Sequence, residues 1–268
     1  MKKSILIREY VRSILKESQA SEQFEQDVAD AIDASSPNVI ALKMGDVRLS
    51  DIKVQMGDIS SYVEAKMTHS DNLANPRIYF NGSVWDTTYR TPVAAKAVEL
   101  ANASQMAADF LDDLRLFLGR NKITLPTTKG DLRNPGAPTY SDLVGFFATR
   151  ESQYFVRERD VNIGDLVTQH YLFGKSEPAH YMQSGNDFYL IGSEDPFNLQ
   201  SRMPADQKGA NVKIPQLAGI GDFKIRVSMR ASGHWYEVQA EIKIKNFMPS
   251  FSPASVFGES KINPFSLL

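Results

Sequence analysis

Asp51, Glu64 and Lys66 are the side chains whose types and spacing could do chemistry together. They lie in LSDIKVQMGDISSYVEAKM, residues 49–67. Read with period two, Ile52, Val54 and Met56 share one face of a strand, and Asp51, Lys53 and Gln55 share the other. Gly57-Asp58 supplies a two-residue turn with glycine first, as a type II′ hairpin prefers. The return strand alternates again, with Tyr62, Glu64 and Lys66 on one side and Val63, Ala65 and Met67 on the other. Pairing Met56 with Ile59 sets Asp51 opposite Glu64, and directly opposed Cβ atoms lie ~4.5–5.5 Å apart. Two like charges repel there unless something positive sits between them. A hard divalent cation such as Mg²⁺, which takes carboxylate oxygens and waters, answers that need. Lys66, two residues past Glu64, points into the same space.

Asp51, a hairpin and then Glu64-Ala65-Lys66 resembles the active-site motif of the PD-(D/E)XK nuclease superfamily, the restriction-endonuclease-like fold. Ser50 stands where the motif name has proline. The resemblance covers roughly the first half of the chain. It implies a Mg²⁺-dependent DNA endonuclease in which Asp51 and Glu64 bind the ion with the Ala65 backbone carbonyl and waters. Lys66 then positions or activates the attacking water. Some members supply an extra acid from the preceding helix, and Glu25, beside Ala29 and Ile32, occupies that position. A metal-dependent exonuclease or RNase would use the same three residues. A non-catalytic nucleic-acid-binding or assembly protein is the alternative from another class, with the Asp51/Glu64 face a plain charged surface.

Glu-x-Lys recurs at Glu241/Lys243 and Glu259/Lys261. The last sits in a turn-rich tail without a strand partner. The second belongs to a hairpin with Asp222, where a surface ladder of opposite charges explains it and no helix follows. Asp58 is a turn residue, roughly 20 Å along an extended strand from Glu64.

The elements expected around the motif are a helix over 21–34 capped by Ser21, and strands over 39–44, 47–56 and 59–67. A helix over 91–119, capped by Thr91 with Pro92 first, and a strand over 122–125 follow. This helix-βββ-helix-β order is the core succession of the nuclease fold. It assigns the chain to the α/β (α+β) class, with a C-terminal α+β region of antiparallel hairpins. The domain reading is a nuclease core over 1–126 and a Pro/Gly-rich linker over 127–139. An accessory region over 140–268 would serve DNA binding or dimerisation. Within it, helices are expected over 140–149 and 163–173, and hairpins over 179–192 and 222–246. Residues 1–17 place Ile7, Tyr10, Val11, Ile14 and Leu15 at helical spacing among basic residues, as an ordinary packed helix does.

Lys53, Gln55 and Tyr62 share the acidic face and could meet phosphates. Asn72, Asn75 and Arg77 follow in a polar loop. Residues 202–245 hold eight Lys/Arg against four Asp/Glu, so Lys224, Arg226 and Arg230 on the long hairpin are candidate contacts to double-stranded DNA. The net charge of −2 argues against a globally basic coat and leaves room for a local basic groove. The absence of cysteine excludes disulfides, iron–sulfur clusters, zinc–cysteine sites and thiol nucleophiles. Four histidines, at no spacing that suits a zinc protease, exclude that class too. No apolar run approaches the ~20 residues that span a bilayer. The expectation is a cytoplasmic protein without membrane association, with a homodimer needed if both DNA strands are cut.

Overall fold

The computed structural model describes residues 19–46, 49–68, 72–74, 76–120, 130–131, 133, 139, 141, 145–146, 154–162, 164–205, 213–232, 235–249 and 263–268. The protein is mixed α/β, with two sheets in two compact units. The first unit takes residues 1–71, 171–219 and 248–268, and the second 72–170 and 220–247. These are not the 1–126 and 140–268 halves expected from composition. The first unit is assembled from three separated pieces of chain, which no local change of composition announces.

In the first unit, α1 (residues 19–33) leads into β1 (Ile40–Lys43), β2 (Ile52–Met56) and β3 (Ile59–Lys66). Ser21 lies inside α1 rather than capping it, because the helix is already formed at residue 19. Its outer face carries Gln23–Asp27 and Gln26–Asp30 hydrogen bonds at one-turn spacing. Ala29 and Ile32 face the core with Val39, Ala41, Ile52, Val54, Val63 and Ala65. The Asp33 carboxylate accepts the Ala41 N–H at 3.0 Å, tying the end of α1 to β1.

The hairpin has the register expected from alternation, with Met56 opposite Ile59, Gln55 opposite Ser60 and Ile52 opposite Val63. Gly57 sits at φ +58 while Asp58 stays out of the left-handed region, the combination a type II′ turn uses. A side chain at position 57 would be strained by that φ although the space around it is open.

The sheet order is β1-β2-β3-β8-β9, where β8 is Ala179–Ser184 and β9 is Asp187–Leu190. β3 and β8 run parallel, and β8 and β9 form the antiparallel hairpin expected at 179–192. The strand beside β3 is β8, and the strand expected over 122–125 lies outside the described residues. β8 is buried on both faces, as a strand in the parallel interior of a sheet must be. Tyr181 stacks on Phe188 and Phe197, and Phe265 from the last residues meets its edge. The Tyr181 hydroxyl donates to Asp195 at 2.6 Å, and Asp195 also accepts the Leu199 and Gln200 N–H groups.

The second unit holds β4 (Arg77–Phe80), β5 (Trp85–Asp86), β6 (Gly130–Asp131), β7 (Tyr154–Asn162), β10 (Gly219–Ser232) and β11 (Trp235–Pro249). Their order is β5-β4-β11-β10-β7, with β6 against β11. The long helix expected over 91–119 is two helices, α2 (Pro92–Ala103) and α3 (Gln105–Arg120). Thr91 caps α2 as expected, accepting the Ala94 N–H at 3.2 Å. Ser104 turns extended between the helices, and its hydroxyl accepts the Ala107 N–H to start α3. The apolar spacing runs on through the break, which hides it. α4 (Gly164–Phe173) then returns the chain to the first unit. The expected helix over 1–17 lies outside the described residues, as do most of the expected linker over 127–139 and most of the expected helix over 140–149. Among the described residues no helix is long and apolar enough to cross a membrane.

Candidate active site

The β2–β3 ladder ends at Ile52 opposite Val63, and the next residues outward are Asp51 and Glu64. Asp51 is held at both ends. Its carbonyl accepts the Met44 N–H at 2.7 Å, and its Oδ2 accepts the Ala65 N–H at 2.9 Å. The hairpin thus brings Asp51, Glu64 and Lys66 together. Lys66 Nζ lies 2.5 Å from Glu64 Oε1 and 3.9 Å from Asp51 Oδ2. The Tyr171 hydroxyl, from the last turn of α4, donates to the same Glu64 Oε1 at 3.1 Å. Lys175 lies over the Tyr171 ring at 6.0 Å and donates to the Leu49 carbonyl at 3.1 Å.

Alternation suggests a solvent face, yet the Glu64 side chain is only 4% exposed. Its Oε2 is buried and has no hydrogen-bond partner. A carboxylate oxygen left without a donor away from water is costly, so its presence needs a reason. Burial pushes the Asp51 carboxyl up to about 7, with Glu64 and then Glu25 adding repulsion, and Lys66 and the Ala65 N–H pulling the other way. Burial also acts to raise Glu64, but Lys66, Lys175 and the Tyr171 hydrogen bond outweigh it and hold that carboxyl below its ordinary range. Lys66 feels burial pulling it down. The negative charge of Glu64, with Tyr171 and Asp51 behind it, keeps the ammonium well above the usual lysine range.

No protein-family model, curated protein or solved structure matches this chain. The site therefore rests on its own geometry. Among the described residues no group of three or more His, Cys, Asp and Glu stands together to hold a metal, so any ion here would depend on two carboxylates, main chain and water. Within that limit the donors suit a small divalent cation, since the two acids share one face and Glu64 keeps an unbonded oxygen.

The remaining sequence candidates divide. Glu25 pairs with Lys43 at 3.4 Å while its charge still reaches Asp51. Lys53 is half-buried on the face of the site, and Tyr62 opposite it is largely buried. Gln55 is exposed, and its amide donates to the Gly57 carbonyl in the turn. Asn72, Arg77, Lys224, Arg226 and Arg230 belong to the second unit. Asn72 accepts the Ile244 N–H at 2.8 Å, a structural tie rather than a free amide. Lys224 pairs with Asp222 at 3.2 Å and Arg226 with Glu241 at 2.8 Å, so acids on the same ribbon already occupy these cations. Asn75 and the Arg230 side chain lie outside the described residues. Sequence reasoning missed Tyr171 and Lys175. Their one local signal is a tyrosine and a lysine four residues apart at the end of an expected helix.

Proposed function

We propose that this chain is a Mg²⁺-dependent DNA endonuclease whose site is Asp51, Glu64 and Lys66. The observation that carries the reading is the hairpin end itself, where two acids meet one lysine and a buried Glu64 oxygen lacks a partner. The order around it adds support. α1 and three antiparallel strands precede the second unit, and α4 and β8, parallel to β3, follow it, an order compatible with the helix-βββ-helix-β succession.

Asp51 and Glu64, with the Ala65 carbonyl, would hold the ion. When bound, it supplies Lewis acidity to the phosphodiester and makes a water more acidic. The protein's own groups do the rest. Tyr171 fixes Glu64 by one oxygen and leaves the other unoccupied. Lys66, kept protonated by its acidic neighbours, stabilises negative charge growing on the phosphate rather than removing a proton. DNA is the proposed substrate, and cutting both strands would call for two copies of the chain.

A specific observation favours the alternative of a non-catalytic binding or assembly protein: Lys66 and Glu64 neutralise one another directly. Incubation with supercoiled plasmid separates the two readings. Nicking or linearisation in Mg²⁺, lost in EDTA and in Asp51→Asn and Glu64→Gln, supports the nuclease. Intact plasmid across salts and substrates, with DNA still bound, supports the alternative. Cleavage of closed circles also argues against an exonuclease.

A further inference from the structure

One polar group beside the site has no role in the chemistry above. Ser184 ends β8 and is the cross-strand partner of Lys66 in the parallel β3–β8 register. Partners in register share a face, and neighbouring strands lie only ~4.8 Å apart. The hydroxyl therefore stands beside the lysine on the acidic side of the sheet. Ser184 is 1% exposed, and its Oγ has no hydrogen-bond partner. An apolar side chain would fill this place at lower cost.

Its position is fixed from both sides. The Gly185 N–H donates to the Lys66 carbonyl at 2.7 Å, and the Gln183 amide donates to the Gly185 carbonyl at 2.7 Å. Gly185 has φ +56, and a Cβ there would come within 3.3 Å of the Met67 carbonyl oxygen. The turn is thus closed tightly onto the end of β3, holding Ser184 level with Lys66.

Lys66 has the opposite difficulty. Its close partner is Glu64 Oε1, on the carboxylate that a cation would take. With Asp51 and Glu64 Oε2 engaged by a divalent ion, the ion draws on the carboxylate's charge and repels the buried ammonium, which weakens its hold on Oε1. We propose that Ser184 is a positioning residue that accepts the Lys66 ammonium when Asp51 and Glu64 are engaged by a divalent cation. The hydroxyl then keeps the lysine on the side where the phosphate arrives. The inference rests on the metal-site reading and adds a residue to it.

The test titrates Ca²⁺ and Mg²⁺ into the full chain, following ion affinity by calorimetry and the Lys66 ammonium by ¹⁵Nζ NMR. Wild type is expected to bind either ion with a large shift of the Lys66 signal. Ser184→Ala should bind about tenfold more weakly and without that shift, yet melt no lower than wild type in EDTA. Ser184→Thr, which keeps the hydroxyl, should restore both. Equal affinity and an equal Lys66 shift in Ser184→Ala would overturn the proposal and leave the metal site standing. A lower melting point of Ser184→Ala in EDTA would also overturn it, since the hydroxyl would then be bonded in the ion-free fold. No ion binding by wild type, or binding that survives Asp51→Asn, would overturn the metal-site reading and this inference with it.

Discussion

Asp51 gives the most direct measure of whether the site is built for a cation or for stability. Its carboxyl is pushed up to about 7 by burial, then by Glu64. In the unfolded chain it returns to near 4. Between those values the folded protein holds a proton that the unfolded chain has released. The stabilising contribution is therefore complete on the acid side and disappears as pH rises towards 7. Moving a carboxyl from near 4 to about 7 corresponds to about 4 kcal/mol at most. The side chain is 21% exposed, so water relieves part of this, and about 2 kcal/mol is expected. Asp51→Asn carries no charge and can still accept the Ala65 N–H. Urea denaturation in EDTA at pH 5, 6, 7 and 8 should show wild type losing stability across the series and Asp51→Asn changing less. The variant should be the more stable protein at pH 8. Glu64 does not obscure this window, because its carboxyl is held below its ordinary range and contributes only in more acid solution. Adding Mg²⁺ at pH 8 should stabilise wild type and leave Asp51→Asn unchanged. The reasoning fails if Asp51→Asn is the less stable protein at pH 8 in EDTA, for Asp51 would then be a net stabilising ion-pair partner.

Lys66→Met leaves Glu64 buried with its nearest positive charge gone and should cost about 3 kcal/mol in EDTA, measured by urea denaturation, with most of it regained in Lys66→Met/Glu64→Gln. Tyr171→Phe removes one hydrogen bond to Glu64 and should cost about 1–2 kcal/mol. Its Mg²⁺ affinity by calorimetry should fall several-fold, while Leu116→Ala, an exposed position on α3, leaves both unchanged. Glu64→Ala should abolish plasmid cleavage while DNA binding in Ca²⁺ remains measurable by gel shift. Tyr181→Phe, which loses the bonds to Asp195 and the Phe197 N–H, should lower stability by about 1–2 kcal/mol without changing the pH at which cleavage is half-maximal.

The hairpin was legible because its determinants are local. A two-residue turn and strict alternation leave one register, and a slip of one residue would turn Ile52, Val54 and Val63 out of the core. Glu64's burial was not legible, because Tyr171 and β8 arrive from far along the chain and alternation cannot say what lands on a face. The same limit hid which strand lies beside β3. AHYMQS reads correctly as half of a hairpin, but which distant strand it also joins depends on packing that no short window contains. The break at Ser104 was hidden by apolar spacing that continues across it, although serine is a good helix cap. The basic count over 202–245 pointed to a polyanion surface, yet same-face neighbours such as Asp222 and Lys224 neutralise part of it.

Charge balance at the hairpin end bears on the proposed metal site. Glu64 and Lys66 alone would be self-sufficient, and a buried pair of that kind adds little net stability once its desolvation is subtracted. Asp51 breaks that balance. It adds a second negative charge whose ammonium neighbour is 3.9 Å away and already engaged more closely elsewhere. Lys175 draws on Glu64, but its ammonium donates to the Leu49 carbonyl. A fold selected only for stability gains nothing from placing that second acid against the first. A fold that must bind a doubly charged ion gains the repulsion itself, because the ion's arrival relieves it and the binding free energy grows by the same amount.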